Sequence, residues 1–316
     1  MVTVRRGPQG WVCRHLVLLA GLLLGGCIMS PGPDGRAAIG IERDIPYAEG
    51  PRHRLDIYRP MSGVGEGRPL ILFLHGGQWQ MGGRDSLENQ VIASGLAARG
   101  AVVLVPDYRL YPEALFPGFL QDAAAAVAWA RRHASTLGAD PDAVFVAGHS
   151  AGGYMALMLA LDGQWLAPHG LSSRDLAGAI GIAGPYVGDF PRHWAVRPVF
   201  AGQPDLAALV PESFVSRDAP PLLLLSGTLD LVTGPDHLRT MARRVVEAGG
   251  EVETRLYPGI GHLDILMSLP WLPSLAPTAE DIMAFAVRRA AQHIAAVRQR
   301  QAPAGQVAEL RTGTTP

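Results

Sequence analysis

Ser150 stands between Gly148 and Gly152 in "VFVAGHSAGGYMALMLA", residues 144 to 160, where glycines crowd the junction of two apolar runs. Glycine costs backbone entropy in a strand or a helix, so its clustering here means that the junction needs a conformation other residues resist. The pattern is GxSxG with a strand before it and a helix after it, an arrangement that leaves a hydroxyl exposed on a sharp turn beside the amides of a helix N-terminus. A serine hydroxyl is a weak nucleophile at neutral pH. It needs a base within hydrogen-bond reach and an acid that orients the base.

The candidates lie far along the chain. Asp230 follows the apolar run "PLLLLSG" in "TLDLVTGPD", and His262 follows "VETRLYPG" in "IGHLDIL". Asp236 and Asp264 compete for the acid's role, but Asp236 lies nearer the following helix and Asp264 directly follows the histidine. His149 is the variable residue inside GxSxG, and His133, His169, His193 and His237 lie in polar surroundings typical of a surface. Attack on a carbonyl builds negative charge on oxygen, which preorganised amide donors must stabilise. "LFLHGGQW" supplies a glycine turn after an early strand, so the amides of Gly77 and Gln78, with that of Ala151, are the candidate donors. No HExxH or comparable ligand spacing is found, and this chemistry calls for no metal or other cofactor.

For these turns to meet, the elements between them must alternate. "HRLDIYRP" alternates as a strand, and "LILFLHGG", "AVVLVPDY", "AVFVAGHS", "LAGAIGIAGPY" and "PLLLLSGTLD" are short apolar runs stopped by turn residues, with "VETRLYPG" closing the series. Helical stretches near 87–99, 119–134, from 151 and near 238–248 separate them. Strands without polar alternation are buried on both faces, so the expected fold is α/β, with a mostly parallel twisted sheet between two layers of helices. The acid and histidine turns then fall at the carboxyl ends of their strands, the same edge as Ser150. The segment 185–220 is the longest interval between strands. It carries Phe190, Trp194, Phe200 and Phe214, and either walls a pocket or packs as a helical excursion.

The 316 residues are 48% hydrophobic and 17% charged, a globular composition. A net charge of -1 from 27 basic and 28 acidic residues gives no footprint for nucleic acid as a partner. Both cysteines, Cys13 and Cys27, precede the body of the chain, which therefore has neither disulfides nor a thiolate metal site. Arg5 and Arg6 followed by "HLVLLAGLLLGGC" read as an export signal over 1–26, because the apolar stretch is short for a spanning helix. "LGGC" resembles the lipobox of bacterial lipoproteins. That resemblance implies lipidation of Cys27 and membrane attachment on the periplasmic side, with Ile28 favouring the outer membrane; a secreted or periplasmic protein is the alternative. A proline and glycine linker is expected over 27–40, the catalytic body over 41–300 and a tail with little to bury over 301–316.

From about Asp44 to Arg298 the chain resembles the esterase branch of the α/β-hydrolases, which includes hormone-sensitive-lipase-like and feruloyl-esterase-like carboxylesterases and the kynurenine formamidases. The residues that carry the resemblance are "LDIYRP", HGG followed by a bulky residue and Trp79, "PDYRLYPEALFPGFLQDAAAAVAWA", GHSAG, "GTLDLVT" and "GIGHLDIL". It implies a serine carboxylesterase acting on a small-molecule ester, with Ser150, Asp230 and His262 in that family's chain order. Gly77, Gln78 and Ala151 would be the oxyanion donors and Trp79 a substrate-binding side chain. Many relatives have HGGG where this chain has Gln78, and formamidase-like members also replace that glycine, which makes an arylformamidase the enzymatic alternative. A catalytically inactive binding module is the alternative of another class. "DYRLYPE", residues 107–113, is assigned to scaffold.

Overall fold

The structure is a computed structural model that describes residues 37–61, 67–269 and 274–301. The expected signal segment, Cys27 and the tail from 302 onward lie outside the described residues. Eight strands form one sheet: β1 (Ile39–Pro46), β2 (Arg54–Pro60), β3 (Leu70–Leu74), β4 (Val102–Pro106), β5 (Val144–His149), β6 (Gly178–Ile182), β7 (Leu222–Gly227) and β8 (Val252–Tyr257). Their order across the sheet is β1-β2-β4-β3-β5-β6-β7-β8. β1 and β2 pair antiparallel, as do β2 and β4, while all pairs from β4 to β8 are parallel.

Side chains alternate between the two faces of a strand, and here each face has its own core. Leu70, Leu72, Leu74, Val144, Val146, Leu222 and Leu224 pack with residues of α2 (Gly118–His133), α3 (Ala151–Leu161) and α4 (Pro235–Glu247). Ile71, Phe73, Val103, Phe145, Ile180 and Leu223 pack with residues of α1 (Leu87–Ala98), α5 (Asp264–Ser268) and α6 (Thr278–Gln301). Helices on both sides explain why the central strands read as unbroken apolar runs. α3, which follows Ser150, is buried along its whole length, as its apolar composition on every side requires.

Three features qualify or extend the expectations. β1 begins at Ile39, inside the segment read as linker, where Ile39 is buried and pairs with Pro60 of β2. β8 is an edge strand with Thr254 and Arg255 exposed, guarded by the ion pairs of Glu253 with Arg288 and Arg289. The segment 185–220, expected either to wall a pocket or to pack as a helical excursion, folds as four short 3-10 turns, at Phe190–Arg192, Arg197–Phe200, Ala207–Leu209 and Pro211–Phe214. It is pinned by the Phe116 amide donating to the Val199 carbonyl at 2.9 Å and by Gln80 Nε2 donating to the Ala195 carbonyl at 2.8 Å.

Candidate active site

β3, β5, β6 and β7 end in register on one edge: Leu74 lies opposite Gly148, His149 opposite Ile182, and Gly227 opposite Tyr257. The turn after β5 is tight. Ser150 has φ 54° and ψ −118°, a sparsely populated conformation for a residue with a side chain. Its amide donates to the Ile182 carbonyl at 2.8 Å, and its own carbonyl accepts from the Tyr154 amide at 3.1 Å, so sheet and helix grip the strained residue from both sides. The flanking glycines are required by close approach. A Cβ at Gly148 would overlap the backbone of Gly152, and one at Gly152 would overlap the Leu74 carbonyl. The acid and histidine turns meet in the same way, since a Cβ at Gly227 would overlap the Ile260 carbonyl.

The structure brings the three distant residues together. His262 Nε2 lies 3.1 Å from Ser150 Oγ, and His262 Nδ1 lies 3.0 Å from Asp230 Oδ2. The carboxylate is fully engaged: Oδ1 accepts the amides of Val232 at 2.9 Å and Thr233 at 3.0 Å, and Oδ2 accepts the Thr233 hydroxyl at 2.8 Å. Burial raises the pKa of Asp230, but the hydrogen bond and charge of His262 and the bonds from Thr233 outweigh it, holding the carboxyl well below the usual range. An ionised acceptor there fixes a proton on Nδ1 and leaves Nε2 free to accept the serine's proton. Asp264, the nearby competitor for the acid's role, accepts the Gly261 amide at 2.9 Å, and Asp236 pairs with Arg239 on an exposed helix surface.

Ser150 opens into a cavity of about 420 Å³ that is also lined by Gln78, Trp79 and Ala151. Gly77, Gln78 and Trp79 have φ of 118°, 56° and 58°, and the carbonyl of Gly77 accepts the amides of Gln80 and Met81, so the chain curls and turns Trp79 inward. Gln78 and Ala151 reach the cavity, whereas Gly77 is not among the residues lining it: it supports the curl, and a Cβ there would overlap the Met81 carbonyl. Trp79 lines the cavity but is only 1% exposed, packed with Phe119, Tyr154, Phe190 and Phe200; it forms a wall, not a free stacking platform. The segment 185–220 supplies more of the wall through Pro185, Phe190, Ala195 and Val196.

Sequence patterns left several residues of the site unmarked. His149 Nε2 donates to the carbonyl of His262 at 2.9 Å, tying the elbow to the histidine turn. Burial, and then the neighbouring His262, push His149 down to about 3, so it is neutral. His75 is likewise buried and pushed down to about 4. His237, read from its polar neighbours as a surface residue, instead lines the cavity with Nδ1 facing two backbone amides. Arg84 joins Asp44, Asp56 and Asp107, with Nε 3.0 Å from Asp56 and Nη1 paired with Asp107, and Arg109 clamps Asp122; "DYRLYPE" thus holds the turn beside the cavity as scaffold. Among the described residues no cluster of three or more histidine, cysteine or acidic side chains could hold a metal, and no helix is long and apolar enough to cross a membrane.

Comparison with known proteins adds to this geometry. The BD-FAE sequence family matches residues 55–168. The solved structure of esterase B from Lactobacillus rhamnosis superposes with a TM-score of 0.70 at 21% identity, covering 82% of this chain and 90% of that one. This chain has the α/β-hydrolase fold. Among curated proteins, the chain is 30% identical over 239 residues to esterase LipC of Mycobacterium tuberculosis, covering 70% of this chain and 59% of that protein. It is 26% identical over 266 residues to a probable isoprenylcysteine alpha-carbonyl methylesterase, ICMEL1, of Arabidopsis thaliana, covering 77% of this chain and 55% of that one. The match thus spans little more than half the length of these curated relatives.

Proposed function

We propose that this α/β-hydrolase cleaves carboxylic esters of small to medium size through an acyl-enzyme on Ser150. The observation that carries the reading is the unbroken chain from Asp230 through His262 to Ser150 Oγ, which ends inside a cavity. His262 Nε2 takes the proton of Ser150 as Oγ attacks the ester carbonyl, and Asp230 stabilises the imidazolium that forms. The amides of Gln78 and Ala151 donate to the oxyanion; the backbone of Gln78 serves as well there as that of a glycine. His262 then protonates the leaving alcohol, and a water deprotonated by the same nitrogen hydrolyses the acyl-enzyme. The esterases named among its relatives support this reading, and an inactive binding module is disfavoured because all three polar partners are kept in contact.

The test is an acyl-chain series of p-nitrophenyl esters, with N-formylkynurenine and a feruloyl ester beside it and Ser150→Ala as the blank. The expected result is turnover of short to medium esters that the substitution abolishes, with the formamide slower. Turnover that survives in Ser150→Ala rules the mechanism out, and faster cleavage of the formamide makes the protein an arylformamidase. As to location, the reading is a lipoprotein held by Cys27. β1 starts on the edge of the sheet opposite the cavity, since Ile39 pairs with Pro60 while Leu55 pairs with Pro106. A tether leaving there lets the cavity face away from the membrane. Labelled palmitate incorporated by the full chain and lost in Cys27→Ala is the expected result; equal labelling of both contradicts it.

A further inference from the structure

The His237 ring sits in the cavity wall at the start of α4, and its two nitrogens have different surroundings. Nδ1 receives two backbone donors, the amide of Tyr186 at 3.1 Å and that of Val187 at 3.2 Å. A nitrogen that accepts two N–H groups cannot itself carry a proton, so the proton of the neutral ring is confined to Nε2. Burial acts in the same direction, lowering the pKa of His237 against the raising effects of Asp230, Glu212 and Asp236. Among the described residues no acceptor is bonded to Nε2, which is left open to the cavity. The ring is half-buried and lines the same cavity as Ser150. The cavity lining mixes apolar Pro185, Phe190 and Val232 with polar Asp189, Arg192 and Thr233, and Phe190 lies edge-on to the His237 ring with centroids 6.4 Å apart.

We propose that His237 is a specificity-determining residue whose Nε2–H is a fixed donor for an acceptor oxygen carried by the substrate away from its scissile carbonyl. The favoured substrates are therefore esters whose acyl or alcohol part bears an ether, hydroxyl or carbonyl oxygen, in preference to plain alkyl esters of the same length. The inference rests on the ester-hydrolase reading above. A donor fixed in the cavity wall loses its water when an alkyl chain covers it and gains nothing in return. An oxygen at the right position restores the bond and adds no bulk, because an ether oxygen replaces a methylene nearly isosterically. The donor cannot rotate away, since turning the ring would orphan the two amides on Nδ1.

The test walks one oxygen along the substrate. p-Nitrophenyl hexanoate is compared with its 3-oxa, 4-oxa and 5-oxa analogues, and pentyl butyrate with butyrates whose alcohol carries the oxygen at successive positions. Each oxa ester is expressed as kcat/KM relative to its own methylene parent and normalised to alkaline hydrolysis. The wild-type protein is expected to show a maximum of about tenfold at one position of one series, the factor that one net hydrogen bond supplies. His237→Asn keeps an acceptor for the Tyr186 and Val187 amides but has no donor where Nε2 stood, and should flatten that maximum to within about twofold of the parent. A walk that is flat in the wild-type protein overturns the proposal whether or not any variant folds. A maximum unchanged in His237→Asn overturns it too, and assigns the ring to holding the 186–187 turn alone. If no ester turns over at all, it is the ester-hydrolase reading that has failed.

Discussion

Ser150, Asp230 and His262 stand on turns just beyond β5, β7 and β8, while Phe190, Ala195 and Val196, which line the cavity with Ser150, stand on the strandless stretch 185–220. On the sheet side, position is set by backbone: parallel register, the strained φ of Ser150, and glycines that let turns touch. On the wall side, position is set by side-chain packing, in which Phe200 and Phe190 interlock with Trp79, Phe119 and Tyr154. Chemistry and selectivity are thereby separated. A change in the triad itself should alter kcat far more than substrate fit, and a change in the wall should alter stability and substrate fit with the triad still connected.

The largest effect should come from Asp230→Asn, which removes the ionised acceptor that fixes the proton on His262 Nδ1. A fall of about 10³–10⁴-fold in kcat with KM little changed is expected, by analogy with the serine-protease triad. A loss of less than tenfold would mean that the carboxylate does not orient the histidine. Phe200→Ala is the matching change in the wall. Phe200 is nearly wholly buried and touches Trp79, Phe116 and Phe119, so its truncation should cost about 3–5 kcal/mol in urea unfolding and raise KM by a larger factor than it lowers kcat. The comparison breaks if Phe200→Ala instead lowers kcat alone.

A smaller effect concerns pH. His75 and His149 have folded pKa values depressed to about 4 and about 3, below the reference of about 6.5 for the unfolded chain. Below that reference the unfolded chain binds protons that the folded one refuses, so their contribution to stability is full above about pH 6.5 and is lost as pH falls toward those values. His149→Gln should reduce the slope of unfolding free energy against pH between 6 and 4.5 by about 1.4 kcal/mol per unit, one proton's worth. An unchanged slope would mean that the elbow histidine is not held neutral by the fold.

The same division decides what could be read from the chain. GHSAG, "GTLDLVT" and "GIGHLDIL" declare the sheet side because a sharp turn, a close approach and a strand end each demand particular residues at fixed spacing. Asp230 could be preferred over Asp236 and Asp264 on position alone, and the structure puts Asp230 against His262. The wall left no such trace. His237 looks like a surface histidine from its neighbours Pro235, Asp236 and Arg239, and only the path of residues 186–187 past its ring makes it part of the cavity. The spacing marks Gly77 as a candidate donor beside Gln78, and its φ of 118° shapes the curl that presents Gln78. Arg84 and its three aspartates come from segments whose convergence depends on the antiparallel pairing of β1 and β2, which no local pattern encodes.

The reactivity proposed for Ser150 Oγ depends on the imidazole that stands beside it. Intact-mass measurement of the folded protein after exposure to a fluorophosphonate, followed by peptide mapping, reads that property directly and without any choice of ester. One adduct per chain on Ser150, abolished in Ser150→Ala and slowed by orders of magnitude in His262→Ala, is the predicted result. No adduct on the folded wild-type protein, or an adduct on Ser150 that forms equally fast without the imidazole of His262, would contradict it.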